Sequence, residues 1–520
     1  MKRLLLAALF ASLAAARAAS AAETVIPIEG DVPMGGADHF FVPFEVKAGT
    51  VEIEVRHDDL SEANILDWGL EDPKGFRGWG GGNTEPAVVG VDRASRSYVP
   101  GPITAGTWRV IVGKAKVVET PARYGLEIVL RDVPTLPAQP ERAPYEPAPA
   151  LALGPRWYAG DFHVHSWESG DARPKLDEIA DFARGRGLDF VMVSDHDTIT
   201  AQDYFRDAQQ RHPDLLFLPG MEWTTYRGHA NALGVTEWID HKLGQPGVTV
   251  ESAAAAVHEQ GGLFSVNHPK LDFDTCIGCG WSLDLPVEQL DALEIENGGL
   301  QPAGQLFIQS VLAMWDDLSH GGHHITAIGG SDDHQAGQDT GATASPIGNP
   351  TTMVYASELS AAAIIDGVRH GRTVVKLQSP DDPMIELSPS VAPGDDDVIR
   401  ARKLELRVRV TGGEGTELRL VHEGEPQEPL DVTSDPFEAS FPLTSGDAEE
   451  RWRAEVLVGG RLHTVTSHLW LKAPDPGAGR ADAAEGGGCG CRLGAEPQGT
   501  SGALAALALG LALARRRRRR

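Results

Sequence analysis

The sequence predicts a multidomain protein in which a central α/β domain lies between two all-β domains. Three observations indicate this class. The chain has 520 residues, which is too long for a single hydrophobic core. From residue 155 to 380, amphipathic helices alternate with apolar strands, the pattern of a parallel sheet or barrel. On both flanks, short runs alternate between apolar and polar residues, which is typical of β-sandwiches.

Residues 23–133 are expected to form the first β-sandwich. Runs such as HFFVPFEV and TWRVIVG are separated by Gly, Pro and Asp turns. The glycine- and aromatic-rich segment 71–82 is interpreted either as a loop that faces a partner surface or as a packed turn. Residues 134–154 are rich in Pro and Ala and are expected to form a semi-rigid linker.

The central domain is assigned to residues 155–380, where each helix is followed by an apolar strand. Residues 173–187 carry apolar side chains at helical spacing, with a proline near the first turn, and strand 188–194 follows directly. Residues 381–473 return to alternating strands and are expected to form a second, smaller β-sandwich. The sequence therefore predicts a central domain with a parallel sheet and an all-β domain on either side of it.

The first 22 residues have the pattern of a secretory signal peptide. Lys2 and Arg3 precede the apolar run Leu4–Ala16, and small residues follow, so cleavage is expected near residues 21–22. A buried core helix is the alternative interpretation. Export would place the protein at the outer membrane, at the cell surface or in the extracellular space.

Residues 474–520 combine a Gly-rich linker with a three-part tail. Cys489 and Cys491 are followed by the apolar run Ala503–Ala514 and by Arg515–Arg520. At about 1.5 Å per residue the run covers roughly 18 Å, short of the roughly 30 Å of a hydrocarbon core. The order resembles the MYXO-CTERM sorting signal of myxobacterial surface proteins. This implies that the tail engages the membrane or a sorting machinery before processing, and a plain tail-anchored helix is the alternative.

The charge and the remaining cysteines restrict the partners. A formal net charge of −28 argues against nucleic acid, because the phosphate backbone would be repelled and no basic groove is visible. Nothing in the sequence sets an oligomeric state. Cys276 and Cys279 form a CxxC motif that export would place outside the reducing cytosol, so a local disulfide is favoured. Half of a zinc site or a redox motif are the alternatives.

Metal-ligand residues recur where the apolar strands of the central domain end. His163 and His165 are two apart on one strand and therefore point to the same face. Imidazoles and carboxylates are the ligands that hold Zn²⁺, Mn²⁺ or Fe²⁺. In a β/α barrel the active site lies at the carboxyl ends of the strands. The pattern therefore predicts a metalloenzyme built on such a barrel.

The segments HVHSWESGD, SDHDT, GMEWTT, NHP and SDDH resemble, in this order, the motifs of the PHP (polymerase and histidinol phosphatase) domain. The flanking β domains and the GFRGW and CIGCGW segments resemble the CehA/McbA branch of these metallohydrolases. The resemblance covers roughly residues 155–380. It implies a distorted seven-stranded (β/α)7 barrel with two or three divalent ions. The matching positions, taken as metal ligands, are His163, His165, Asp171, His196, Glu222, His229, His268, Asp332 and His334.

The ligands are expected to divide into three groups. The first ion is assigned to His163, His165, Glu222 and Asp332. Glu222 would bridge to a second ion held by His268 and His229, although His229 is alternatively a substrate contact. The third ion is assigned to Asp171, His196 and His334. Two ions about 3.5–4 Å apart lower the pKa of a shared water, which then attacks an ester.

Four residues are predicted to take part in the reaction itself. Asp332 would orient the attacking water, and His334 or His268 would protonate the leaving oxygen. Arg227 is a candidate cation for an anionic small-molecule ester, and a solvated loop arginine is its alternative interpretation. We therefore expect an exported phosphoester hydrolase. A carboxyl-ester or carbamate hydrolase of the CehA type is one alternative, and a non-catalytic surface binding module is the other.

Overall fold

The computed structural model describes residues 23–271, 276–285, 287–298, 305–338 and 344–475. Within these ranges the chain is strand-rich, as predicted, with 27 strands, five α-helices and two short 3₁₀ helices. No helix in the described ranges is both long and apolar enough to cross a membrane. Contacts join the described residues up to Pro474 into one unit, and the second unit, Asp475–Arg520, is described only at Asp475. The predicted signal peptide and the predicted sorting tail lie outside the described residues.

The amino-terminal strands form two four-stranded antiparallel sheets with the orders β1-β8-β3-β6 and β2-β7-β4-β5. Apolar side chains from both sheets, among them Ile53 and Trp108, share one buried cluster. The alternation seen in the sequence thus turns one face of each sheet towards a common core. The strands are β1 (Glu23–Asp31), β2 (His39–Val46), β3 (Glu52–Asp58), β4 (Ile65–Asp72), β5 (Gly75–Gly81), β6 (Ala87–Gly90), β7 (Gly106–Lys116) and β8 (Arg123–Arg131).

The proline-rich segment that follows β8 is tied to both neighbouring parts of the chain. The backbone N–H and the hydroxyl of Thr135 donate to the buried carboxylate of Glu52 at 2.8 and 2.6 Å. Arg142 pairs with Asp203 of the central region at 2.7 Å. These charge-assisted bonds hold the segment against its neighbours.

The central region contains nine strands and all five α-helices of the described chain. Helix α1 buries Leu176, Ile179 and Ala183, the positions that the helical periodicity indicates. The elements are β9 (Leu153–Val164), α1 (Leu176–Gly185), β10 (Phe190–Val193), α2 (Phe205–Arg211), β11 (Leu216–Thr225), β12 (Gly228–Leu233), α3 (Val250–Glu259), β13 (Leu263–Val266), β14 (Ala292–Asn297), α4 (Gln305–Leu318), β15 (Thr326–Gly330), β16 (Thr351–Glu358), α5 (Ala361–Arg369) and β17 (Thr373–Lys376), with 3₁₀ helices at Thr200–Tyr204 and Val287–Gln289.

Strands β9 to β15 lie side by side in chain order, and one isolated parallel bridge between Val164 and Asp333 joins the two ends of this run. The seven strands therefore curl until the last meets the first, with less pairing there than a continuous barrel has. Strands β9, β10 and β11 are parallel to one another, as are β13, β14 and β15. Strand β12 is antiparallel to both neighbours because it follows β11 through a two-residue turn at Tyr226 and Arg227.

The carboxyl-terminal strands continue the central sheet. Strand β17 pairs with β26, so hydrogen bonding crosses the boundary predicted at 380–381. Strands β18, β20 and β24 form a separate sheet, and Ile385, Leu406 and Val456 share a core between the two layers. The strands are β18 (Met384–Pro389), β19 (Val398–Arg400), β20 (Lys403–Thr411), β21 (Glu417–His422), β22 (Glu425–Pro426), β23 (Leu430–Asp431), β24 (Phe437–Thr444), β25 (Glu450–Val458), β26 (Arg461–Thr466) and β27 (Leu469–Lys472).

Asp316 on α4 links the central helices to these carboxyl-terminal strands. Its carboxylate lies 2.7 Å from Arg453 and 3.5 Å from both Arg451 and His468. Burial acts to raise the pKa of Asp316, but the hydrogen bond from His468 and the charge of Arg453 outweigh it and lower the pKa to about 2. The ionised carboxylate is therefore stabilised by folding.

We expect Asp316→Asn to lower the free energy of unfolding by about 2 kcal/mol at pH 7. Because the pKa of Asp316 is depressed in the folded state, its contribution is present above pH 4 and is lost as the pH falls towards 2. Urea unfolding at pH 7 and pH 3 measures this. The neighbouring exposed Asp317, replaced in the same way, is the control and should change stability by less than about 0.5 kcal/mol. An equal loss in both variants would contradict the ion-pair explanation.

Candidate metal centre

The nine predicted ligands come together at one edge of the curled sheet. Each lies at or just beyond the end of a strand, or in the β11–β12 hairpin, and each is within 4 Å of at least one other ligand. The contacts link His163 from β9, His165 directly after β9, His196 after β10, Glu222 and His229 from the hairpin, His268 after β13, Asp332 and His334 after β15, and Asp171 from the loop after β9. Strand ends separated by up to 171 positions thus form one cluster.

Glu222 lies at the centre of this cluster and is fully buried. Its Oε1 atom is 3.2 Å from Nε2 of His163, 3.3 Å from Nδ1 of His229 and 3.4 Å from Nε2 of His268. Its Oε2 atom is 2.6 Å from Nδ1 of His196. Burial acts to raise the pKa of Glu222, but the charges of His163 and His196 hold it well below its usual range. Glu222 therefore remains a carboxylate.

Asp332 and Asp171 complete the acidic part of the cluster. Oδ1 of Asp332 is 3.0 Å from Nε2 of His165 and 3.3 Å from Nε2 of His163. Oδ2 of Asp171 is 3.3 Å from Nε2 of His196 and 3.4 Å from Nε2 of His334. The first and third groups of the predicted ligand partition are thus each brought together in space.

The arrangement of the ring nitrogens fits divalent cations. Nε2 of His163 is 3.1 Å from Nε2 of His165, and Nε2 of His196 is 3.4 Å from Nε2 of His334. At most one nitrogen of each pair can donate a proton to the other, whereas a cation accepts both lone pairs. The buried atoms Nε2 of His268 and Oδ1 of Asp332 lie close to other ligands, but the angles do not suit a hydrogen bond to any of them within the described chain. Several sets of three residues, including His163, Glu222 and His268, have ligand atoms close enough to share one ion.

The sulfur of Cys279 also lies near His229 and His268. It is bonded to Cys276 as a disulfide, the pairing that the sequence favours, so it is not available as a thiolate ligand. Cys279 instead contributes its carbonyl oxygen, 3.1 Å from Nδ1 of His268. That bond orients the imidazole so that Nε2 faces the acids.

Other supporting residues were not identified from the sequence. Glu294 on β14 contacts Nδ1 of His163 at 3.0 Å, and Asn267 donates to Oε1 of Glu222 at 2.9 Å. Buried Asp161 accepts from the backbone N–H groups of His163 and Ser331, and so joins β9 to the loop after β15. An acid inside the apolar strand ALEIEN was the one available signal for Glu294.

Two predicted ligands occupy a backbone conformation that L-residues rarely adopt. The φ angle of Asp332 is 60° and that of His268 is 28°. Left-handed geometry at non-glycine residues costs of order 1–3 kcal/mol each and persists where surrounding contacts hold it. The hydrogen bond from the N–H of Asp332 to the carbonyl of His163, at 2.7 Å, is such a contact. The cluster is therefore held in place before any ligand binds.

A cavity of about 420 Å³ opens onto the cluster, and residues of the amino-terminal sheets form one of its walls. Asp171, His196, Asp332 and His334 line the cavity on the central side. The other wall contains His39, Asp67, Trp79, the glycines 80–82 and Asn83. The glycine- and aromatic-rich segment noted in the sequence therefore borders the candidate site.

Arg227 and His268, two residues proposed to act in the reaction, do not line this cavity among the residues described. The guanidinium group of Arg227 is half-exposed and pairs with Asp38 at 3.2 Å. His268 is buried behind Glu222. Asp332 and His334 are therefore the proposed reactive residues that a substrate in the cavity can reach.

Arg96, from the amino-terminal domain, positions the loop that carries Asp171. It donates to the carbonyl oxygens on either side of this ligand, at Gly170 (2.8 Å) and Ala172 (3.2 Å). Its guanidinium lies over the ring of Trp167, 4.3 Å from the ring centroid. The place of the Asp171 carboxylate thus depends on a contact between domains.

We expect Arg96→Ala to weaken metal binding by the Asp171 group (Asp171, His196 and His334) about 10- to 100-fold. This is the usual cost of losing a residue that orients a ligand. Metal content after competition with a graded chelator measures this without reference to activity. Arg123→Ala is the control, because its pairs with Glu29 and Asp31 lie on the exposed surface at the sheet edge. Unchanged metal retention in Arg96→Ala would show that Asp171 does not depend on this contact.

Solved structures provide three comparisons. A two-domain protein with a predicted PHP-like metal-dependent phosphoesterase from Bacteroides vulgatus is 18% identical and covers 64% of this chain and 100% of its own, with a TM-score of 0.36. An amidohydrolase from Chromobacterium violaceum is 16% identical over 36% of this chain and 93% of its own. A metal-dependent phosphoesterase assigned by similarity from Bifidobacterium adolescentis is 17% identical over 36% and 92%. The second and third of these structures each have a TM-score of 0.24.

No family model and no curated protein matches the chain. The TM-scores of the structural comparisons are low. The side-chain geometry of the cluster itself is therefore what indicates a function.

Proposed function

We propose that the chain is a metal-dependent phosphoester hydrolase whose central region is a PHP-type barrel of the CehA/McbA branch. The observation that carries the proposal is the convergence of nine donor residues in one cluster, with buried Glu222 at its centre and imidazole nitrogens facing one another in pairs. A closed structural site needs only about four ligands. Nine donors beside a cavity therefore favour a catalytic centre over a non-catalytic binding module.

Two or three ions of Zn, Mn or Fe fit the donor set, with His163, His165 and Asp332 in one group and Asp171, His196 and His334 in another. When bound, such ions polarise phosphoryl oxygens and lower the pKa of water. Glu222 lies between the groups and offsets their charge. The donor groups outnumber what one neutral ester carbonyl needs, which favours a phosphoryl group with several oxygens.

When two ions are bound and the group of Asp171, His196 and His334 holds none, His334 is the residue best placed to supply a proton to the leaving oxygen as the ester P–O bond breaks. It lines the cavity and is partly exposed, whereas His268 is buried, with Nε2 at 3.4 Å from Glu222 and Nδ1 bonded to the carbonyl of Cys279. Asp332, also on the cavity wall, can accept a hydrogen bond from the attacking water. His334 and Asp332 are therefore the side chains proposed to handle protons in the reaction, and the other donors serve to hold the ions.

Hydrolysis of a carboxyl or carbamate ester is the second candidate. One observation favours it: no Lys or Arg lines the cavity among the residues described, so the side chains provide no cation for an anionic group. Under the leading proposal the ions themselves meet the phosphoryl charge. Reaction rates distinguish the two candidates.

The test combines metal analysis of the full chain with a screen of phosphomonoesters, phosphodiesters, aryl carboxyl esters and carbamates. We expect at least two bound ions per chain and a phosphoester as the fastest substrate. Chelation should abolish turnover, and added divalent ions should restore it. An aryl ester turned over far faster than any phosphoester would establish the second candidate, and a metal-loaded chain inactive on the whole panel would favour a binding module.

We further propose that the protein is exported to the cell surface or released. The signal-peptide pattern, the tail and the Cys276–Cys279 disulfide support this, because disulfides persist in oxidising compartments. Fractionation of the producing cell is the test, and recovery of the intact chain in the cytosol would contradict the proposal.

A further inference from the structure

We infer that the amino-terminal domain forms the specificity wall of the active site and that the leaving group it selects is a neutral polyhydroxylated alcohol, such as a sugar or sugar alcohol. This inference rests on the proposed phosphoester hydrolase function and names its substrate class. The wall consists of His39, Asp67, Trp79 and Asn83, with Tyr226 joining it from the β11–β12 turn.

The wall is built as one rigid unit with the central domain. The hydroxyl of Tyr226 donates to Oδ2 of Asp67 at 2.6 Å. A side-chain carbon added at Gly113 of β7 would lie 2.0 Å from that hydroxyl, so Tyr226 fits against the amino-terminal sheet only because residue 113 is glycine. Phe76 of β5 stacks on Trp238 at 3.9 Å. A substrate in the cavity therefore meets the two domains together.

The ring nitrogens of His39, unpaired among the described residues, indicate that the wall binds a polar ligand. It is 5% exposed, it lines the cavity, and neither of its ring nitrogens has a hydrogen-bond partner within the described chain. A buried polar group without a partner destabilises the folded state, so such groups normally bind a ligand or water. A neutral imidazole offers one donor and one acceptor, which matches a hydroxyl group.

The other wall residues are of the types that bind hydroxyls and sugar rings. Asp67 provides carboxylate oxygens, Asn83 provides an amide, and Trp79 provides an aromatic surface beside them. The cavity volume of about 420 Å³ lies within the range of small-molecule sites. A hydroxylated group of sugar size therefore has partners on this wall.

The charge of the wall disfavours a second anionic group on the leaving part. Asp67 lines the cavity and is not one of the proposed metal ligands, and no Lys or Arg lines the cavity among the residues described. The internal ranges outside the description, 272–275, 286, 299–304 and 339–343, contain no Lys or Arg in their sequence. Like charges brought together in a cavity cost several kcal/mol. Carboxylated and bisphosphorylated substrates should therefore be poor.

The experiment compares two open-chain phosphomonoesters that differ by one carboxylate: sorbitol 6-phosphate and 6-phosphogluconate. With the metal-loaded full chain we expect kcat/KM for sorbitol 6-phosphate to be at least about 10-fold higher. Asp67→Asn should raise KM for sorbitol 6-phosphate about 10-fold, the effect of weakening one hydrogen bond to a charged group. The same change should reduce the discrimination against 6-phosphogluconate, with metal content unchanged. Equal rates on both esters in the parent would overturn the inference.

Direct binding separates this inference from the proposed function. Calorimetry with sorbitol or gluconate, in the presence of inorganic phosphate, needs no turnover. Binding of sorbitol that is lost in His39→Phe supports the wall even if no phosphoester is hydrolysed. Hydrolysis of phosphoesters without sorbitol binding, or with gluconate binding as tightly, overturns the wall while leaving the hydrolase proposal intact. Asp38→Asn, which alters only the exposed pair with Arg227, is the matched control.

Discussion

Replacing Glu222 with Gln is expected to lower kcat/KM by more than about 100-fold, beyond the usual cost of losing a residue that only supports a ligand. The two side chains have nearly the same volume, so the packing of β11 should survive. The negative charge that lies within 3.4 Å of His163, His196, His229 and His268 is lost. An amide oxygen is a much weaker ligand for divalent ions of the transition series than a carboxylate. Metal content should therefore fall together with activity.

Glu294→Gln is the graded control for this prediction. Glu294 is not one of the nine proposed ligands and contacts the outer nitrogen of His163, at 3.0 Å, so its loss should cost about 10- to 100-fold and leave most of the metal bound. Metal analysis, thermal unfolding and initial rates on both variants make the comparison. A Glu222→Gln variant that kept parental metal content and rate would show that the centre of the cluster is elsewhere.

A methyl group added at Gly170 is the second change for which we expect a large effect. A side-chain carbon there would lie 2.1 Å from the carbonyl oxygen of Gly80, which is rigid backbone of the amino-terminal domain. The loop or the domain must shift, and Asp171 is the next residue. We expect Gly170→Ala to destabilise the protein by about 1–3 kcal/mol, as overpacking does, and to lower metal occupancy of the Asp171 group. Denaturant unfolding and metal analysis measure the two effects.

Gly185→Ala is the matched control, because an added carbon at Gly185, near the end of α1, meets no atom within 4 Å. It should be neutral or slightly stabilising, since alanine is the better helix former. If Gly170→Ala bound metal and unfolded like the parent, the close approach of the two domains at Gly80 would not constrain the site.

Much of the candidate site could be predicted from short segments. The pair His163 and His165, the NHP segment and the SDDH segment each join donor residues to the end of an apolar strand. Because the carboxyl ends of neighbouring parallel strands share one edge, their convergence follows from the strand pattern. The structure brings all nine predicted ligands into one cluster. Within the run β9 to β15, the one antiparallel strand is β12, and it follows a turn too short to hold a helix.

Residues that act across the domains could not be predicted in this way. Tyr226 and Asp67 are 159 positions apart, and the carbonyl oxygens that Arg96 contacts are more than 70 positions away. Hydrophobic periodicity shows which face of a strand is buried but not which surface covers it. Arg227 shows the same limit, because its pairing with Asp38 depends on where the amino-terminal sheet docks.

The composition and local pattern of this chain were thus sufficient for its strand-rich domains and for the chemical nature of a donor cluster at the strand ends. The docking of the amino-terminal sheets over that cluster, and with it the cavity wall of His39, Asp67 and Trp79, emerged from the three-dimensional arrangement alone. The physical reason is that ligand identity and spacing are properties of short segments. A cavity is formed by surfaces distant in sequence, whose fit depends on the packing of whole domains.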